Sequence, residues 1–274
     1  MRCVPDKYFE IGDIAILVHH RGDTTLPGCP PPITDGQTIL FLHDAGGNGN
    51  CFRKVMDHLD GSHSPVSLDF PGHGRSGSID SLSSMAAFAE HAEELMLDWQ
   101  VPSLMIVGEG LGAAVGLEIA LRGRLEISSL ICVGAVGLFV DLSAEISELE
   151  SITAGKARRN FSTDGYAPEP EESVLREAFA QWVKTDPRAT LGARRAQLAW
   201  NQSVDLTNLS VETTVVIGEH ADPISTEESK ALAQTLINCQ IEIIAGAANH
   251  APIEQPDAFA SLISRLAEET RSSS

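Results

Sequence analysis

The 274-residue sequence predicts an α/β fold: a mostly parallel central sheet flanked by helices, with a helical cap inserted between two of the later strands. Two observations predict it. Short β-rich apolar runs alternate with helical patterns along most of the chain, as in a parallel sheet covered on both faces. Between about residues 139 and 208 the strand signals vanish, and acidic, amphipathic helical stretches replace them. The expected division is a core of residues 1–138 and 209–274 with a cap or lid at 139–208.

The elements follow in order. Strands are expected at residues 14–19 and 38–43, separated by a Gly/Pro-rich turn region at 22–36. A helix near 50–59 has Phe52, Val55, Met56 and Leu59 on one face, and a strand at 65–70 follows it. Phe88, Leu95, Met96 and Trp99 mark a helix near 85–99. A purely apolar strand at 104–107 enters a small-residue helix at 111–121, and another strand comes at 129–133. The insert has helical patterns at 172–183 and 190–201. Alternation then resumes with strands at 214–217 and 241–244 and helices at 226–236 and 256–269. Such an insert reads as a lid over the carboxyl edge of the sheet, where open α/β sheets bind ligands.

Composition narrows the function. Hydrophobic residues make up 43% of the chain, enough for a large core. Nineteen Lys and Arg against 38 Asp and Glu give a formal charge of −19, which disfavours nucleic acid and anionic membrane as partners. A small-molecule substrate is the expected partner, and the sequence does not set the oligomeric state. The cysteines, Cys3, Cys29, Cys51, Cys132 and Cys239, are odd in number and lack a Cys-x-x-Cys pair. That argues against a disulfide framework or zinc site and for a reducing, cytoplasmic setting. The N-terminal residues carry no apolar run of the signal-peptide kind, and no stretch reaches the roughly 18–20 apolar residues of a membrane span.

The stretch richest in chemistry joins the strand at 104–107 to the following helix through Gly108-Glu109-Gly110-Leu111-Gly112. A dinucleotide-binding loop starting at Gly110 would need a third glycine at position 115, which is Val115. Four further segments give the stretch its meaning. Phe41-Leu42-His43-Asp44-Ala45-Gly46-Gly47 ends one strand, and Leu68-Asp69-Phe70-Pro71-Gly72-His73-Gly74-Arg75-Ser76 forms a tight turn after another. Val215-Val216-Ile217-Gly218-Glu219-His220-Ala221-Asp222-Pro223 carries an acid beyond a late strand. Ala247-Ala248-Asn249-His250-Ala251-Pro252 follows the last strand.

Together these motifs resemble the α/β-hydrolase superfamily over nearly the whole chain, least in the insert. Gly108 and Gly112 match the outer glycines of its Gly-x-Ser-x-Gly nucleophile elbow, and Gly110 stands where the family carries its serine. The resemblance implies His250 as catalytic base and Asp222 as the acid that orients it, with Glu219 and Asp141 as alternatives. It implies the Ala45 and Leu111 N–H groups as oxyanion-hole donors. Asp44 departs from the family's usual glycine, and an acid beside an oxyanion hole opposes developing negative charge unless it turns away or is protonated. Asp44 and Glu109 are read as auxiliary acids, and Asp69 as a partner for Arg75 in a structural turn. No metal or organic cofactor is implied.

Glycine cannot form an acyl-enzyme, so three readings stay open. The chain is an inactivated serine hydrolase acting on an ester, lactone or related acyl bond of a small, partly apolar substrate, in which Gly110→Ser restores turnover. Or it works without a covalent step, as a direct hydrolase, lyase, isomerase or cyclase with His250 as general base. Or it is a ligand-binding receptor.

Overall fold

The computed structural model describes residues 6–23, 25–33, 35–59, 61–139 and 141–273. Cys3, the other N-terminal residues 1–5 and Ser274 lie outside that set, so the readings placed on them are not met there. Eight described strands form one sheet: β1 (Asp6–Ile11), β2 (Ile14–His20), β3 (Thr38–Leu42), β4 (Ser64–Leu68), β5 (Leu104–Glu109), β6 (Ile127–Val133), β7 (Thr213–Gly218) and β8 (Cys239–Ile244). Their spatial order is β1-β2-β4-β3-β5-β6-β7-β8. β2 runs antiparallel to both neighbours, and the pairings from β4 through β8 are parallel.

Alternation along the central strands sets the layers. Ile39 and Phe41 of β3, with Met105 and Val107 of β5, pack against α1 (Arg53–Leu59) and α9 (Pro256–Ser273). Leu40, Leu42, Leu104 and Ile106 face the other way, onto α2 (Met85–Asp98) and α3 (Leu111–Arg122). All eight of these strand residues are fully buried. Each such side chain contributes about 1.5–3 kcal/mol by leaving water, so the central strands anchor the fold.

Between β6 and β7 lie α4 (Ser143–Thr153), α5 (Glu172–Trp182) and α6 (Pro187–Asn201). α4 and α6 pack on each other, and α6 also rests on α2 and α3. Sequence reading recovered α5 but not α4, and it started α6 three residues late. The start signal is present: Asp186 caps the helix by accepting from Arg188 N, with Pro187 in the first turn. α7 (Pro223–Thr235) begins the same way at Asp222-Pro223, also three residues before its expected start. α8 (Ala251–Glu254) is a single turn before α9.

Register positions the site. Leu42 pairs with Gly108, Gly108 with Cys132, and Val133 with Val216. The carboxyl ends of β3, β5, β6 and β7 therefore lie side by side, and the loops that leave them converge on one edge.

Candidate active site

The turn from β5 into α3 is built for a close approach. A Cβ on Gly112 would stand 2.0 Å from the Leu42 carbonyl oxygen, so only glycine lets α3 start against the end of β3. Gly110 holds φ +52° and ψ −112°, which L side chains rarely adopt. This is the strained corner that a nucleophile elbow requires, here without a nucleophile.

What fills the missing side chain's place is Asp44. A Cβ on Gly110 would lie 2.2 Å from Asp44 Oδ1 and 2.4 Å from its Cγ. The Leu111 N–H donates to Oδ1 at 2.7 Å, and the Ala45 N–H helps stabilise the same carboxylate. Arg194 of α6 donates through Nη1 to Oδ1 at 2.9 Å and through Nη2 to Oδ2 at 2.8 Å. Its Nε donates to Glu145 of α4 at 2.9 Å. Burial alone would raise the Asp44 carboxyl, but the Arg194 charge and these donors outweigh it and hold the group below the ordinary carboxylate value. The Leu111 N–H expected to serve an oxyanion thus already serves a carboxylate of the chain itself. Asp44 turns neither away nor neutral.

His43 fixes the loop from beneath. Its Nδ1 donates to the Asp44 carbonyl at 2.7 Å, and its Nε2 accepts from Phe70 N at 3.0 Å. Full burial pulls its pKa down, so it stays a neutral, structural imidazole.

His250 stands on the loop after β8. Its Nδ1 donates to Glu109 Oε1 at 2.9 Å. Glu109 ends β5 and is 6% exposed. Burial opposes a charged imidazole, but the Glu109 hydrogen bond and charge, with Asp44 and Glu254 nearby, raise the His250 pKa above its ordinary value. Among the described residues none hydrogen-bonds Nε2, the nitrogen that carries the lone pair of this tautomer. Glu254 holds the backbone around it, accepting from His250 N and Ala248 N at 3.0 Å each and from Ala167 N at 2.7 Å. Tyr166 of the insert stacks on the imidazole, with ring centroids 4.7 Å apart.

A cavity of about 390 Å³ opens above these groups, within the range of small-molecule sites. Asp44, Glu109 and His250 line it from the core. The insert lines it with Arg159, Phe161, Tyr166 and Trp182. Cys51 also lines it, but burial pushes its thiol well above the ordinary value, so it is a poor substitute nucleophile. Among the described residues no group of three or more His, Cys, Asp or Glu is placed to hold a metal ion.

The expected site residues thus part company. Gly110, Leu111, Ala45, Asp44, Glu109 and His250 gather at one edge. Asp222 does not join the His250 ring. It caps α7, accepting from Ile224 N at 2.9 Å and Ser225 N at 3.1 Å, and takes the Asn249 amide at 2.8 Å. Glu219 accepts from Gly246 N, and Asp141 from Ser143 N. Asp69 accepts from the Arg75 backbone N–H at 2.9 Å, while the Arg75 guanidinium points to Asp6 at 3.7 Å. His73 is buried against His43, and its pKa falls to about 3. Sequence reading missed Arg194, Arg159 and Glu254. The Asp44–Arg194 pair spans 150 positions, beyond any local pattern.

The strand order, the strained corner after β5 and the histidine loop after β8 define an α/β-hydrolase scaffold. A model of the alpha/beta hydrolase family matches residues 39–262, and the chain belongs to that family. Over 101 residues it is 28% identical to the dihydrolipoyllysine-residue acetyltransferase component of the acetoin cleaving system of Cupriavidus necator, covering 37% of this chain and 27% of that protein. Over 88 residues it is 32% identical to the magnesium-chelatase 30 kDa subunit of Rhodobacter capsulatus, covering 32% of this chain and 31% of that one. The match spans less than a third of either relative. Among solved structures, an esterase from Exiguobacterium antarcticum superposes with a TM-score of 0.79 at 16% identity, covering 96% of this chain and 99% of that one. A thermophilic esterase from Thermogutta terrifontis superposes with a TM-score of 0.73 at 20% identity, covering 98% and 99%. At such identities the likeness is one of fold. No described helix is long and apolar enough to cross a membrane.

Proposed function

We propose that the protein is a hydrolase of α/β-hydrolase type that works without a covalent intermediate, with His250 as general base and Glu109 as the acid that holds its ring. The substrate is a small, partly apolar carbonyl compound such as an ester or lactone. The observation that carries the reading is the 2.9 Å bond from His250 Nδ1 to Glu109, which fixes the tautomer and leaves Nε2 to take a proton from water. General-base catalysis of this kind contributes about 10²–10⁴-fold. Two features favour it over an acyl-enzyme route: residue 110 has no side chain, and the Leu111 N–H is engaged by Asp44. A silent ligand-binding protein is the second reading, favoured by that same occupied donor.

The test is turnover of activated esters and lactones by the protein as it stands, by His250→Ala and by Glu109→Gln, with mass spectrometry of the protein during turnover. The expected result is activity that falls about 10²-fold or more in His250→Ala, and no acyl adduct. An adduct, or activity indifferent to His250, refutes the mechanism. Ligand binding without turnover supports the second reading.

A further inference from the structure

We propose that Arg159 is the anion-recognition element of the cavity, and that the molecule presented to His250 carries a carboxylate on an apolar acyl or aryl body. The substrate class rests on the reading of the His250 site; the anion subsite does not.

Arg159 is half-buried and lines the same cavity as His250. Its guanidinium lies over the Trp182 ring, 3.9 Å from the centroid. Nη1 donates to Thr185 O at 2.8 Å and Nη2 to Trp182 O at 2.9 Å. Those carbonyls fix the plane of the fork at the carboxyl end of α5. They are neutral acceptors, and they use two of the five N–H donors of a guanidinium. The other three have no hydrogen-bond partner among the described residues, and a planar guanidinium suits a carboxylate.

Among the described residues no carboxylate forms an ion pair with Arg159. Asp186 feels its charge but gives both oxygens to Arg188. Within the cavity, Arg194 pairs with both Asp44 and Glu145, leaving that trio one negative charge in excess, and Glu109 faces His250. Glu148, the remaining carboxylate of the lining, is exposed. Burial weakens the charged form of Arg159, and a bound anion would offset that penalty. The walls beside it, Phe161, Tyr166, Leu149 and Ile152, suit an apolar body. The whole-chain charge of −19 does not oppose this contact at short range, because exposed charges are screened beyond about 8 Å at physiological salt.

The probes are 4-phenylbutyrate and its uncharged amide, with binding read by calorimetry and by the fluorescence of Trp182. The protein as it stands should bind the acid about tenfold or more tightly than the amide, the worth of a charge-assisted contact. Arg159→Gln should abolish that preference. Arg159→Lys, which keeps the charge but not the fork, should retain only part of it. His250→Ala should keep the preference. If turnover proves independent of His250 while the acid preference persists, the catalytic reading fails and the anion subsite stands. Equal binding of acid and amide, binding of neither at millimolar concentration, or an undiminished preference in folded Arg159→Gln overturns the proposal.

Discussion

Placing a serine at position 110 is the natural attempt to restore a nucleophile, and the structure predicts that it fails alone. A new Cβ would stand 2.2 Å from Asp44 Oδ1, far inside van der Waals contact, so the carboxylate must leave. It then abandons the Leu111 N–H and the bidentate Arg194 fork, in a pair whose side chains are 25% and 13% exposed. Breaking a buried ion pair costs about 3–5 kcal/mol. At roughly 2–3 °C per kcal/mol, Gly110→Ser should lower Tm by about 6–15 °C. Asp44→Gly removes the obstacle. In that background the same serine should cost only the strain of a non-glycine residue at this corner, about 1–3 kcal/mol. Thermal melts of the two single variants and the double variant form a cycle whose coupling should be favourable by at least about 1 kcal/mol. An acyl-enzyme on activated esters should appear in the double variant and not in Gly110→Ser. If Gly110→Ser melts within about 2 °C of the parent, or the two changes are additive, the carboxylate does not occupy the elbow.

Other outcomes follow from the same geometry. Because Glu109 raises the His250 pKa, the neutral base appears only as pH climbs past a value above about 6.5. A pH profile of kcat/KM should rise through that value, and Glu109→Gln should shift the rise to lower pH; an unmoved inflection disproves the coupling. His19 bonds Asp6 through Nδ1 and Asp69 through Nε2; burial opposes its charge, but those bonds push its pKa up to about 9. Its folded pKa exceeds the unfolded one, so its stabilisation is full below about pH 6.5 and is lost as pH rises through about 9. Melts of His19→Gln should lack that alkaline decline, and a parallel decline in both proteins would count against it. Glu93 is fully buried between Arg122 and Arg124, which are 24% and 41% exposed. Denaturant unfolding should show Arg122→Ala with Arg124→Ala, which strands the buried carboxylate, costing about 3–5 kcal/mol. Glu93→Ala leaves cations that water can reach and should cost less, about 1–3 kcal/mol.

Local chemistry made most of the fold legible. The apolar run at Leu104–Glu109, the glycines around it and the alternating strands and helices are each set by neighbours in sequence, so periodicity and turn residues report them directly. What escaped reading has a common cause. β1 is a partly exposed edge strand whose pattern, DKYFEI, mixes charge with aromatics. α4 carries only two buried residues, Ile146 and Leu149, so its apolar stripe is too thin to stand out. The late starts of α6 and α7 came from weighting the apolar run over the Asp-Pro that precedes each.

The site was harder, because its decisive bonds are long-range. Asp222 occupies a motif position from which a family acid would reach the imidazole, yet Asp-Pro at a helix start has a local use that competes for it. The cap donors Ile224 N and Ser225 N take that carboxylate. Glu109 reads along the chain only as an auxiliary acid, because strand alternation is no guide to its direction at the last residue of β5, where the chain turns into the elbow. Gly110 and Asp44 look like two separate departures from a family pattern when read along the chain. In space they are one: the side chain missing at the elbow and the side chain added on the neighbouring loop occupy the same volume. A side chain at position 110 and the Asp44 carboxylate therefore exclude each other. With Arg194 from the insert closing the pair, Gly110 and Asp44 form a self-consistent site. A perturbation confined to one of the three residues therefore reports on all of them.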